Sequence, residues 1–401
     1  MLPTSTDVLI VGAGPTGLAL ATSLQQAGID HLAIDTLAEG LNTSRAGVIH
    51  AHTLEMLEPL GVVGQIEAEA HAVGRFVVRD RDSALLAIGF DKLPSRYRRV
   101  TMISQPRTEA ILEGRLRELG GRVYRKVSLL ELRHEHDRVA ARLATPDGEQ
   151  MVHARFVVGG DGMRSTVRQS TAIAFEGEAY GESFVLADVR MDWPLGRDEV
   201  TLCFSPAGMV VIAPMPDGRF RVVATMDEAP EHPTLGDVQR LIEQRGPRAA
   251  PARVEQVVWS SRFRVHHRLA SSYRDGRILL MGDAAHVHSP AGGQGMNAGL
   301  VDAMVLGRAL TAIVRDGAPL STLDRYAEAR RPAAAEVLAL ASRLTGIATV
   351  RSPVGRRVRN GVLRMLGHVP AFRNWLALQL SGIGRRRLSE IGASIQASPG
   401  A

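Results

Sequence analysis

Residues 277–297, RILLMGDAAHVHSPAGGQGMN, decide how the rest of the chain is read. Ile278-Leu279-Leu280-Met281 is a short apolar run of the kind a buried strand needs. Gly282-Asp283 lets the chain turn and leaves one carboxylate at the strand's end. A loop with Pro290 and glycines 292, 293 and 295 follows, then a long apolar helix. On that helix Met296, Leu300 and Met304 form one stripe and Leu306, Leu310 and Val314 another. Strand, carboxylate, glycine loop and helix start can together grip a polyol chain and offer backbone N–H groups to an anion.

Working outward, the N-terminus repeats this logic. Val8-Leu9-Ile10-Val11 reads as a buried parallel strand. Gly12-Ala13-Gly14-Pro15-Thr16-Gly17 is a G-x-G-x-x-G loop opening a helix with Leu20 and Leu24 on one face and Gly28 at its end. Residues 31–34 are the next strand and deliver Asp35 and Thr36. The glycines allow a tight turn, close approach of a pyrophosphate and close helix–strand packing, and Asp35 suits ribose hydroxyls. The motif alone does not separate FAD from NAD(P). A third element, RFVVGGDG at residues 155–162, is a strand ending in glycines and Asp161, with Ser165 and Arg168 at a helix start. Isolated DG pairs are often plain turns. Ligands of open parallel sheets bind beyond the carboxyl ends of the strands, which is where all three motifs fall.

Between these elements the pattern changes. Residues 75–79 and 85–90 read as strands around the turn Asp80-Arg81-Asp82, and residues 104–119 as a helix. Residues 183–189, 199–204, 209–214 and 220–226 are further strands, with a helix at 235–245 and another strand at 254–262. This is an inserted sheet, not a continuation of the parallel one. Residues 324–344 read as helix with a kink or restart at Pro332. Residues 351–387 are basic and amphipathic, either a helical layer packed on the body or a membrane or partner surface.

Composition narrows the classes. The chain has 401 residues, 45 % hydrophobic and 22 % charged, with net charge +6, as expected of a globular protein that takes phosphorylated or carboxylated ligands. Scattered arginines and 4 % aromatics argue against nucleic acid. The single cysteine, Cys203, excludes an intrachain disulfide and a zinc cluster and fits a reducing cytoplasm. No metal site is expected. Asp7 interrupts the N-terminal apolar run, so no signal peptide is expected, and no transmembrane segment either.

The order of these motifs resembles the class A flavin monooxygenases, the para-hydroxybenzoate hydroxylase fold, over residues 5–385. The closest likeness is to hydroxylases of phenolic acids and aromatic polyketides. The resemblance implies an α/β fold: a Rossmann-type FAD-binding domain (1–72, 101–174 and 271–345), an inserted β-sheet substrate domain (73–100 and 175–270) and a C-terminal helical segment (346–401). It implies that Gly12, Gly14, Pro15, Thr16 and Gly17 cradle the FAD pyrophosphate and that Asp35 and Thr36 meet the adenosine ribose. Members more often have Glu at the position of Asp35. Arg45 and Gln105 would reach the flavin, Val127 the adenine, and Asp161 both FAD and NAD(P)H. Gly282 and Asp283 would hold the ribityl chain. Pro290, Gly293, Gly295, Met296 and Asn297 would line the pyrimidine edge, where a helix start stabilises the charge of reduced flavin.

The implied activity uses NADPH or NADH and O2 to hydroxylate an aromatic or polyketide-like small molecule through a C4a-hydroperoxyflavin. Many members carry a thioredoxin-like C-terminal domain, for which the residues after 380 are too few. A second G-x-G-x-x-G and a redox cysteine pair are absent, which argues against a disulfide reductase. No catalytic base stands out among His50, His52, His266, His267, His286 and His288. Val210, Val211, Ile212 and Met215 are candidate pocket lining, with core packing the expected role of most of them. Other readings are epoxidation, quinone hydroxylation, antibiotic inactivation, oxidation without oxygen insertion, and a FAD-binding protein without turnover. A halogenase is disfavoured, since Trp193, Trp259 and Trp375 stand alone. A monomer or homodimer is expected, with weak membrane-surface contact through the basic C-terminus.

Overall fold

The computed structural model describes residues 2–40, 46–226, 228–350 and 352–390. One eight-stranded sheet runs in the order Arg274–Asp275, Ile278–Leu280, Gly148–Gly159, Ser5–Val11, His31–Asp35 and Val123–Arg125. From Ile278–Leu280 to Val123–Arg125 every neighbouring pair is parallel. Ser128–His134 and Val139–Thr145 continue it as an antiparallel flap beside Gly148–Gly159. Val8, Leu9, Ile10, Phe156, Val157 and Val158 are fully buried, because both faces of these central strands are covered. Helices Pro15–Gln26, Gln105–Glu118 and Gly295–Val314 pack together in the same core.

The second sheet also has eight strands, in the order His286–Val287, Arg253–Ala270, Phe175–Asp192, Phe220–Met226, Gly208–Pro214, Glu199–Ser205, Arg75–Asp80 and Ser83–Gly89. All its pairs are antiparallel except Glu199–Ser205 with Arg75–Asp80. Its two faces bury different partners. Val185, Ala187, Val189, Val210, Ile212, Val222 and Ala224 form a separate core with Val238, Leu241 and Ile242 of helix Leu235–Arg245. Phe184, Phe204, Ala213 and Met215, with Val211 partly buried, join the main core instead. The run at 209–214 therefore splits by strand alternation. Val210 and Ile212, candidates for pocket lining, face the outer helix, and Val211 faces the other way.

Gly295–Val314 is long and apolar enough by composition to cross a bilayer, yet 78 % of its apolar window is buried inside the fold, the position of a core helix. Thr322–Ala348 runs as one helix through Pro332, so of the kink or restart expected there the restart does not occur. Helices Pro353–Gly367 and Pro370–Leu380 and the 3-10 turns Ile383–Ser389 complete the chain's described part.

Candidate cofactor site

The parallel pairing puts the ends of Ser5–Val11, His31–Asp35, Gly148–Gly159 and Ile278–Leu280 on one edge. The three glycine motifs therefore meet there. Gly12 has φ +99°, and a Cβ on it would stand 2.5 Å from the Gly160 carbonyl oxygen. A Cβ on Gly17 would collide with the Gly12 carbonyl oxygen, so the helix can enter this close only with glycine. Thr16 wedges between the first and third motifs. Its Oγ1 would be 2.9 Å from a Cβ on Gly282 and 2.5 Å from one on Gly299.

Gly14 is different: a Cβ there would meet nothing within 4 Å. It faces open space at the start of Pro15–Gln26, a helix with no side-chain cap and no acid in its first turn. Gly295–Val314 likewise starts without a side-chain cap or an acid. Two bare helix starts at one sheet edge are anion cradles by their own chemistry. A dinucleotide flavin fits them: a pyrophosphate for the first, and the charge of a reduced isoalloxazine for the second.

The other expected contacts are placed as follows. Asp35 accepts the Ala13 N–H on Oδ2 (2.7 Å) and the Leu37 N–H on Oδ1 (2.8 Å), so it stands against the glycine loop with lone-pair capacity left for hydroxyls. Thr36 beside it is exposed. The Val127 N–H is taken by the Asp35 carbonyl at 3.0 Å, so that N–H is not the atom that would meet an adenine. Gln105 exchanges backbone and side-chain hydrogen bonds with Ala46 and donates to Glu109 at 2.9 Å. Asp283 is exposed at the edge, as a ribityl ligand requires. Arg45 lies outside the described residues.

Asn297 spends its side chain on the protein. Oδ1 accepts the His50 N–H at 2.8 Å, and Nδ2 donates to the carbonyls of Val48 (3.0 Å) and Gly293 (2.7 Å). The loop from Pro290, whose carbonyl accepts the Gly293 N–H at 2.9 Å, is thereby pinned to its neighbours. The backbone N–H groups at Gly295, Met296 and Asn297 are the orphan donors of that helix start. Asp161 does structural work as well. Its Oδ2 accepts the Val167 N–H at 3.1 Å, burial pushes its carboxyl up, and its buried Oδ1 has no hydrogen-bond partner among the described residues. Arg168 then ties the second motif to the third, donating to the carbonyls of Met163 (2.8 Å) and Ala284 (2.6 Å).

The histidines are mostly held in place. Burial lowers His50, His52 and His288 to about 4, against the raising effect of a hydrogen bond in each case. His50 Nε2 lies 2.8 Å from the Gly292 carbonyl, His52 Nε2 is 3.0 Å from Ser389 Oγ, and His288 Nδ1 is 2.7 Å from the Ser289 carbonyl. His286 Nε2 lies 2.8 Å from Asp302 Oδ2.

Two buried charge clusters were not anticipated. Asp302, fully buried in the core helix, meets His286, accepts the Gly282 N–H at 3.1 Å, and accepts from Arg330 Nε at 2.7 Å. Burial would raise its carboxyl, but Arg330 and His286 outweigh burial and hold it below the usual range. It thus fixes the turn that presents Asp283. On the inserted sheet, Arg221 forks onto Asp188 (2.7 and 2.8 Å) and donates to the Ala46 carbonyl at 2.8 Å. Both side chains are buried, and they stitch the sheet to the loop beside Arg45. The only sequence signal for either cluster is a lone charge in an apolar run, Asp302 in LVDAMV and Asp188 in VLADV.

A parallel sheet with glycine loops and bare helix starts on one edge, joined to an antiparallel sheet, is the architecture of an FAD-binding oxidoreductase. A model of the FAD binding domain family matches residues 5–341, and the chain belongs to that family. It is 36 % identical over 353 residues to a 6-methylpretetramide 4-monooxygenase of Streptomyces rimosus, covering 87 % of this chain and 63 % of that protein. The chain thus spans less than two thirds of that relative's length. Among solved structures, p-nitrophenol 4-monooxygenase of Pseudomonas putida superposes with a TM-score of 0.85 at 25 % identity, covering 94 % of this chain and 99 % of that one. The anhydrotetracycline hydroxylase of Streptomyces rimosus superposes at 0.80 with 33 % identity, covering 94 % and 76 %. The α/β class and the FAD cofactor anticipated from the sequence both stand.

Proposed function

We propose that the protein is a flavin-dependent monooxygenase that uses NADPH or NADH and O2 to hydroxylate an aromatic or polyketide-like small molecule. The observation that carries this reading is the convergence of three strand-end motifs and two bare helix starts on one edge. The Gly282 motif there runs directly into the second sheet through His286–Val287. The similar 6-methylpretetramide 4-monooxygenase, p-nitrophenol 4-monooxygenase and anhydrotetracycline hydroxylase support it.

Bound FAD supplies the electron transfer and oxygen activation. The chain supplies the rest. Gly12, Gly14 and Gly17 admit the pyrophosphate to the first helix start, and Asp35 with Thr36 binds the adenosine ribose. Asp283 holds the ribityl hydroxyls. The N–H groups of residues 295–297 stabilise negative charge at the pyrimidine edge. The apolar inner face of the inserted sheet, with Phe184, Val211 and Met215, excludes water from the reacting ring. With His50 and His288 neutral at physiological pH, positive potential here comes from the helix start and from buried Arg385, which donates to Gln294 at 2.9 Å.

The domains follow this division: FAD binding by 1–72, 101–174 and 271–345, substrate binding by 73–100 and 175–270, and a helical segment at 346–401. The working form is a cytoplasmic monomer or homodimer with weak membrane-surface contact through its basic C-terminal segment. The deciding experiment reconstitutes the protein with FAD and follows its visible spectrum with NADPH in air, with and without phenolic substrates. The expected result is bleaching and recovery, faster with substrate, and a product heavier by one oxygen. A reduced flavin that reoxidises without inserting oxygen into any aromatic would overturn the hydroxylase reading and leave FAD binding standing.

A further inference from the structure

We propose that the outward face of helix Pro353–Gly367, with Val369 and Trp375 beyond it, docks on an anionic membrane surface. The proposal deepens the reading of the C-terminal segment as a surface contact and does not depend on the monooxygenase reading.

The first observation is where exposed apolar side chains collect. Thirteen large hydrophobic residues are exposed among the described residues, and seven of them lie between 347 and 375. Val354 is 66 % exposed, Val358 61 %, Val362 43 % and Met365 62 %. Their spacing of four, four and three puts all four on one side of the helix. The opposite side already has its partners. Leu363 is buried, Arg359 stacks its guanidinium 4.8 Å from the Phe204 ring centre, and Asn360 donates to Asp80 at 2.7 Å. The outward stripe is therefore in addition to the side that attaches the helix to the inserted sheet. Trp375, 48 % exposed and ring-packed on Phe372, adds the aromatic type that favours a bilayer's headgroup level.

The second observation is charge, and it selects the occupant. Residues 337–389 contain ten arginines and no Asp or Glu, more positive charge than the +6 of the whole chain. Arg357 and Arg364, both exposed, stand one residue before Val358 and Met365 and line one edge of the stripe. An apolar stripe edged by arginines is the design of a helix lying in a lipid interface, its side chains in the acyl boundary and its cations among phosphates. A second copy is a poor match. A two-fold contact brings the same face of each subunit together, and would set these arginines against each other.

The test is co-sedimentation of the FAD-loaded protein with phosphatidylglycerol–phosphatidylcholine vesicles, against phosphatidylcholine alone. The expected result is binding to the anionic vesicles only, released by high salt. Val358→Asp/Met365→Asp should lose binding at least about tenfold, and Arg357→Gln/Arg364→Gln about tenfold, with NADPH oxidation and melting temperature unchanged. All four side chains are exposed, so neither variant disturbs the core. The proposal is overturned if the anionic vesicles are not bound, or if the double Asp variant binds them as well as the parent. A dimer that the double Asp variant splits would assign the face to a second copy and overturn it equally.

Discussion

Helices Pro15–Gln26 and Gly295–Val314, at the edge of the parallel sheet, begin with no side-chain cap, while Leu235–Arg245, on the inserted sheet, begins with a full capping box. In that box Thr234 accepts the Asp237 N–H at 3.3 Å, and Asp237 accepts the Thr234 N–H at 2.9 Å. The same four orphan N–H groups exist at every helix start. Leu235–Arg245, which only covers a sheet, answers them with its own side chains, although Pro370–Leu380, also away from the glycine loops, begins uncapped. Where a helix starts at the glycine loops, the chain leaves them for a ligand. The parallel sheet is thus built incomplete without its cofactor, and the inserted sheet is complete on its outer side.

The largest test of that contrast compares two glycines three residues apart. Gly17→Ala places a Cβ against the Gly12 carbonyl, so both folding and FAD binding should fail. Gly14→Ala meets no protein atom and should leave the melting temperature of the apoprotein unchanged. It nevertheless fills the space where a pyrophosphate would approach, and FAD affinity should fall by about 100-fold. Flavin titration and apoprotein melting, measured on both variants, separate the two. A Gly14→Ala protein that binds FAD like the parent would remove the pyrophosphate from this helix start.

The second test concerns the seam between the sheets. Arg221→Ala leaves Asp188 buried without its partner and should cost about 3–5 kcal/mol. Asp188→Leu/Arg221→Met removes both charges and should regain most of that stability. If the pair also positions the loop through the Ala46 carbonyl, the double variant melts like the parent yet binds FAD several-fold more weakly. Full recovery of both properties would make the pair purely structural.

These two clusters also mark the limit of what the sequence shows. The glycine motifs were legible because each is contiguous: an apolar run, a turn and a helix start within a few residues. The elements Phe220–Met226 and Leu235–Arg245 were legible to the residue for the same reason. Arg221 and Asp188 lie 33 residues apart, and Arg330 and Asp302 lie 28 apart, so only the fold brings them together. The run at 209–214 packs in the cores as expected for most of it, but both faces of that strand are buried, which erases the alternation that would say which side chain points where. Of the kink or restart expected at Pro332, the restart does not occur, because the helix continues past the missing N–H.

A third test uses pH and should act mainly on the cofactor side. His50, His52 and His288 have pKa values lowered by burial to about 4, below the 6.5 of an unfolded histidine. Between these values the unfolded chain binds protons that the folded chain refuses. Their contribution is full above pH 6.5 and is lost as pH falls toward 4, on the order of 3 kcal/mol for each histidine. Thermal melts from pH 7.5 to 4.5 should show this fall. His50→Gln should reduce it by about a third, because it keeps a polar group near the Gly292 carbonyl without that histidine's titration while His52 and His288 still titrate. A melting temperature constant over that range would show that the loops open to water and that these histidines titrate normally.

The smallest effect belongs to the outer helix. Thr234→Ala removes the hydroxyl that accepts the Asp237 N–H and should lower stability by about 1 kcal/mol. Gly236→Ala in the same first turn meets only Thr234 Oγ1 at 3.9 Å and should be neutral or slightly stabilising. Neither change touches the cofactor edge, so FAD affinity and NADPH oxidation should match the parent in both. That null result matters as much as the loss of stability. The capped helix packs Val238, Leu241 and Ile242 onto the sheet face that carries Val210 and Ile212, away from the flavin side. If Thr234→Ala weakened FAD binding as well, the two faces of the inserted sheet would be mechanically coupled, and the division between a closed outer side and an open cofactor edge would fail at its weakest point.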